Sequence, residues 1–142
     1  NRPGATADAF TADGWFRTGD IGRIDPDGYL SIVDRAKDII VTGGENVASR
    51  EVEDALVEHP DIAAVAVVGV AHPQWGEQVV AVATPAEGAT IDADAVIEWA
   101  RGRLAGFKRP KALLVREALP VNASGKVLKR DLRVWATDQL AP

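Results

Sequence analysis

Two apolar runs in the middle of the chain, Ile62-Ala-Ala-Val-Ala-Val-Val-Gly-Val70 and Glu77-Gln-Val-Val-Ala-Val-Ala-Thr84, constrain its fold more than any other feature. They are rich in β-branched residues and barely alternate with polar ones, which is the pattern of buried strands. A short loop joins them, and such strands need helices packed on their sheet.

The flanking sequence supplies those helices. Ser49 is placed to cap a helix over residues 50–58, with Val52, Ala55 and Leu56 facing inward and His59-Pro60 ending it. Asp92 or Asp94 opens a second helix carrying Val96, Ile97, Trp99, Ala100 and Leu104, with Gly106 as its stop. Residues 111–116 read as a third main strand, and residues 129–139 as a last helix with Leu132, Trp135 and Leu140 near one side. A short strand over residues 38–41 ends at Thr42-Gly43-Gly44. The order β-α-β-β-α-β-α predicts an α+β domain, a mainly three-stranded sheet flanked by helices.

Before this unit lies a hairpin over residues 15–34, with Asp25-Pro-Asp-Gly28 as its turn. A lone hairpin is marginal in water, so this one is expected to belong to a larger sheet. The expected division is 1–36, the end of a larger N-terminal domain, and 37–142, a second unit. The start, Asn1-Arg-Pro-Gly-Ala-Thr6, lacks an initiator Met and a hydrophobic leader, so the chain reads as a piece of a longer polypeptide without a signal peptide, hence cytoplasmic. No apolar run reaches the ~18 residues of a membrane span. With no Cys and only His59 and His72, thiolate chemistry is excluded and a zinc site is not expected. The Asn122-Ala-Ser124 sequon is read as chance.

Charge is divided unevenly. Residues 1–100 carry 6 Lys+Arg against 18 Asp+Glu, a net −12, while residues 101–142 carry 10 against 3, a net +7. The basic end favours an anionic partner. Nucleic acid is not expected, because the whole chain is acidic and the basic stretch has few aromatics for stacking bases. Within that stretch, Pro120-Val-Asn-Ala-Ser-Gly-Lys126 sets one lysine at the end of a sharp turn just before a basic helix. Such a lysine is either a solvated hairpin residue or a point charge held out toward an anion.

Several separated segments together resemble one family. Gly14-Trp-Phe-Arg-Thr-Gly-Asp20, Asp34-Arg-Ala-Lys-Asp38, Gly43-Gly-Glu-Asn-Val47, Glu51-Val-Glu53, Phe107-Lys-Arg-Pro-Lys111 and Pro120 to Lys126 look like the C-terminal motifs of adenylate-forming enzymes. These are the acyl-CoA synthetases, the adenylation domains of peptide synthetases and firefly-type luciferases. The glycine pair, His72-Pro-Gln-Trp-Gly-Glu77 and Phe107 to Lys111 look most like fatty-acyl or aryl CoA ligases.

The resemblance implies a reaction and roles. An AMP-forming acid–thiol ligase activates a carboxylic acid, here a fatty acid, with ATP to acyl-AMP, then makes a thioester with coenzyme A as its small C-terminal domain rotates. Asp20 would bind the ribose, a task suited to a carboxylate that accepts from two adjacent hydroxyls, and Arg35 would reach the nucleotide sugar or phosphate. Lys37 falls on the hinge position. Gly43 and Gly44 would line the pantetheine channel, with Glu45 beside the thiol. Trp75, Phe107, Arg109 and Lys111 would hold the coenzyme A nucleotide by stacking and by charge. Lys126 would be the catalytic lysine of the first half-reaction, neutralising charge at the phosphorus.

Val41 stands where luciferase-like members carry a second lysine, so light-emitting chemistry is not supported. The phosphate loop, the acyl pocket and the Mg2+ that accompanies ATP are expected in the chain's partner, its own N-terminal domain, so the fragment alone should have no turnover. Other readings are a fatty-acyl-AMP ligase, a peptide-synthetase adenylation domain and, from another class, a stand-alone nucleotide-binding or interaction module.

Overall fold

The chain divides into two units, Asn1–Lys37 and Asp38–Pro142, in a computed structural model that describes residues 2–141. The first unit holds helix α1 (Pro3–Asp8) and an antiparallel hairpin of β1 (Asp20–Ile24) and β2 (Leu30–Arg35). Its turn is closed as the sequence predicts. The Asp25 carboxylate accepts from the N–H of Asp27 at 3.0 Å and of Tyr29 at 2.8 Å, and Gly28 takes the left-handed conformation at φ +89°. Asp34 alone among the described residues of this unit is buried.

The second unit runs β3 (Ile39–Thr42), β4 (Glu45–Ala48), α2 (Ser49–Leu56), β5 (Ile62–His72), β6 (Gly76–Pro85), α3 (Ala93–Trp99), β7 (Ala112–Val115) and α4 (Lys129–Gln139). The two valine-rich runs are β5 and β6, paired antiparallel from Ile62↔Pro85 to His72↔Gly76. On its other edge β6 meets β3 at Thr42↔Gly76 and lies parallel to β7 from Val80 to Ala83. The sheet order is β4-β3-β6-β5, with β7 also on β6.

Absence of alternation in β5 and β6 has the expected consequence, since successive side chains enter opposite cores. Val67, Val79, Ala81 and Ala83 pack with Val52 and Leu56 of α2 and Val96 of α3. Val68, Val80 and Val82 pack with Leu132 and Ala136 of α4. The architecture is a three-layer α+β unit.

Three details differ from the sequence expectation. The sheet has five strands rather than three main ones; β4 was not foreseen, being short and starting on a charged residue. Helix α3 ends at Trp99, well before Gly106, and of the two candidate openers it is Asp92 that caps it, accepting from the N–H of Asp94 and Ala95. Ser49 does not cap α2: it is the first helical residue, fully buried, and its hydroxyl accepts from Lys129 Nζ at 2.6 Å.

Candidate functional site

The residues singled out by sequence fall into three groups. In the first unit, Asp20 and Arg35 are directly opposite in the β1–β2 register. Their side chains pair, Nε to Oδ1, at 2.7 Å, both partly exposed. The guanidinium also reaches the Thr18 carbonyl at 3.4 Å. Lys37 lies in a 3-10 turn, Ala36–Asp38, next to the boundary between the units.

The second group is an open cleft of about 280 Å³ lined by Thr42, Gly43, Glu45, Trp75, Gly106, Phe107 and Lys111. Five of the predicted coenzyme-site residues therefore share one surface. The β3–β4 turn builds one wall. Thr42 and Glu45 pair across it, and Gly43 and Gly44 have φ of +58° and +86°, the two-residue turn that glycine serves best. A Cβ on either glycine would meet nothing within 4 Å. The Gly43 N–H donates to the Trp75 carbonyl at 2.9 Å, joining this turn to the β5–β6 loop.

One face of the Trp75 indole is already used, stacked on His72 at 4.3 Å between centroids and 13° between planes. The Lys111 ammonium stands 5.2 Å from the same ring. On the opposite wall, Lys108 forms a two-pronged ion pair with Glu51 at 2.6 and 2.8 Å, tying the Phe107 segment to the first turn of α2. Arg109 does not join the lining: its Nε donates to the Leu104 carbonyl at 3.1 Å. The cationic complement of the cleft is thus Lys111, opposed by Glu45.

The third group is the turn before α4, which folds as a tight hairpin with Val121 bridged to Val127. The Asn122 side chain closes it, one oxygen accepting from Ser124 N, Ser124 Oγ and Lys126 N at 2.8–3.0 Å. Gly125 supplies φ +78°. Lys126 is exposed, and among the described residues it makes no ion pair. It lies outside the cleft lining.

Sequence reasoning passed over one cluster. Lys129 Nζ pairs with Glu53 Oε1 at 2.7 Å as well as with Ser49, and the same Glu53 oxygen accepts from the Val67 N–H at 2.7 Å. The signal was the pair of acids in Glu51-Val-Glu53, where Glu53 falls on the inward side of a helix that buries Val52 and Leu56.

The chain is similar to known proteins along most of its length. The family model for the AMP-binding enzyme C-terminal domain matches residues 51–126, more than half of the chain. A feruloyl-CoA synthase of Amycolatopsis sp. is 48% identical over 132 residues, 93% of this chain and 27% of that protein. The long-chain-fatty-acid–CoA ligase FadD13 of Mycobacterium tuberculosis is 47% identical over 94% of this chain and 26% of its own length. The crystal structure of ATP-bound MatB from Rhodopseudomonas palustris superposes with a TM-score of 0.90 at 42% identity, over 98% of this chain and 28% of that one. The chain spans about a quarter of the length of the curated relatives it matches.

Proposed function

The chain belongs to the AMP-binding enzyme C-terminal domain family, and from that premise we propose that it is the C-terminal part of an AMP-forming acid–thiol ligase, an acyl-CoA ligase. A carboxylate oxygen attacks the α-phosphorus of ATP, pyrophosphate leaves and an acyl-adenylate forms. The sulfur of coenzyme A, giving up its proton, then attacks the acyl carbonyl, and AMP leaves as the thioester forms. The 142-residue chain alone turns nothing over, because the ATP and acyl pockets lie in the larger domain. No group of three or more His, Asp or Glu among the described residues could hold a metal ion; ligands for the Mg2+ that accompanies ATP come from that domain.

The observation that carries this reading is the hairpin at Lys126. An exposed ammonium with no acid partner among the described residues, on a turn closed by Asn122, is a cation placed to meet an anion. In the first half-reaction it neutralises charge gathering at the phosphorus. The cleft serves the second half: Phe107 and Trp75 offer aromatic surface to adenine, Lys111 faces phosphate, and the Gly43-Gly44 turn lets the pantetheine arm pass beside Glu45. Asp20 and Arg35 hold the ribose and phosphate of ATP, and Lys37 is the hinge. The acid is proposed as a carboxylic acid without a narrower class, since the relatives' names range from feruloyl to long-chain fatty acyl.

The test uses the enzyme that carries this chain. Lys126→Ala should lower acid-dependent ATP–pyrophosphate exchange by about a hundredfold and leave thioester formation from supplied acyl-adenylate within about twofold. Exchange at the parent rate would overturn the role given to Lys126.

A further inference from the structure

Lys129 opens α4. That is an unfavourable place for a cation, since the positive end of the helix dipole lies there. It is also an unusual place for a lysine to lose its solvent, yet the Lys129 and Glu53 side chains are only 18% and 20% exposed. Their 2.7 Å pair is completed by the fully buried Ser49 hydroxyl at 2.6 Å. A largely desolvated ion pair gains little stability over apolar packing of the same volume, whereas removing one partner is costly. What it fixes is geometry.

The geometry here is specific. Helix α2 packs in one core and α4 in the other, on opposite faces of the sheet. The Lys129–Glu53 pair joins them around the open edge of β5, where Glu53 also accepts from the Val67 N–H at 2.7 Å. One helical turn later Arg133 Nε donates to the Gly69 carbonyl on the same edge at 3.0 Å. The root of the hairpin is fastened to this anchor. Leu128 N donates to the Pro120 carbonyl at 2.8 Å, and Val127 is bridged to Val121. Lys126 therefore projects from a base that Lys129 clamps to the sheet.

We propose that Lys129 is a positioning residue for Lys126: through Glu53 and Ser49 it fixes the root of the hairpin, and it acts on adenylation by way of the Lys126 ammonium. The proposal rests on the reading of Lys126 given above. Lys129 itself does not touch the nucleotide, because its own ammonium is held by Glu53 and Ser49.

The experiment uses the full enzyme and follows both half-reactions together with hydrogen exchange at residues 122–127. Lys129→Met should slow adenylation about ten- to a hundredfold and leave thioester formation from supplied acyl-adenylate within about twofold. It should also speed exchange at the Gly125 and Lys126 amides, and Lys129→Arg should restore most of the rate. In the Lys126→Ala background, Lys129→Met should cost nothing further. If Lys129→Met does not fold, Glu53→Gln, which keeps an oxygen for Val67 and Lys129 but removes the charge, should give the same pattern at smaller amplitude. Equal loss in both half-reactions, multiplicative losses in the double variant or unchanged hairpin exchange would each overturn the proposal. An unchanged rate in Lys126→Ala alone would instead remove the role of Lys126, while the exchange measurement would still decide whether Lys129 holds the hairpin.

Discussion

The two units spend similar residues in opposite ways. In Asp38–Pro142, Val67, Val68 and Val70 of β5 and Val79, Val80 and Val82 of β6 are close to fully buried, on both faces of the sheet. In Asn1–Lys37, Trp15, Phe16, Ile24, Tyr29 and Leu30 are between 62% and 73% exposed. What separates the two regions is the number of layers. A five-stranded sheet with helices on each face can bury two cores. A two-stranded hairpin with one short helix has no second layer to close on. The second unit thus has the makings of an independently stable fold, while the first presents apolar surface of the kind that a larger sheet covers.

The largest effect expected from this contrast is in the core under α4. Leu132 is fully buried against Val80 and Val82, and α4 is the helix that covers that face. Leu132→Ala should cost about 2–5 kcal/mol by chemical denaturation. A loss below about 1 kcal/mol would mean that this layer is not closed packing, and the contrast between the units would weaken.

A smaller effect is expected at the cleft. Gly44, at φ +86°, sits in a turn where an added Cβ meets open space. Gly44→Ala should therefore cost about 1–2 kcal/mol through backbone strain alone. The two core layers should keep their hydrogen-exchange protection. If protection fell across the whole sheet, the turn would be part of the core's cooperative unit rather than a wall built upon it.

Much of this was legible in the sequence, for reasons that also mark its limits. The buried pair β5–β6 was readable because unbroken β-branched runs leave few options. The Asp25 turn and the Asp92 cap were readable because each involves partners within four residues. Ser49 was misread because a serine before a helix has two uses. Its long-range partner, Lys129, lies 80 residues away, and no local pattern reveals it. Gly43, Glu45, Trp75, Phe107 and Lys111 line one cleft, but Arg109 turns to a local carbonyl, a choice decided by backbone geometry that spacing does not encode. β4 escaped notice because Glu45-Asn46 carries little apolar signal, and only Val47 and Ala48 of that strand are buried.

The smallest expected effect is the sharpest test of the contrast. Ile24 and Leu30 are cross-strand partners at the turn end of the hairpin, 70% and 64% exposed. Ile24→Thr keeps the β-branched shape that suits a strand and replaces a methyl-bearing arm with a hydroxyl. In this chain it removes almost no burial, so local stability, read from hydrogen exchange of the β1–β2 amides, should change by less than about 0.5 kcal/mol. In the enzyme with its larger domain, the proposal that the hairpin extends that domain's sheet places the same side chain in a core, where its loss should cost about 1.5–3 kcal/mol. The difference between the two measurements is the contribution of the covering layer. Equal, small changes in both would show that this face stays uncovered, and the first unit would then be an exposed appendage rather than the edge of another domain.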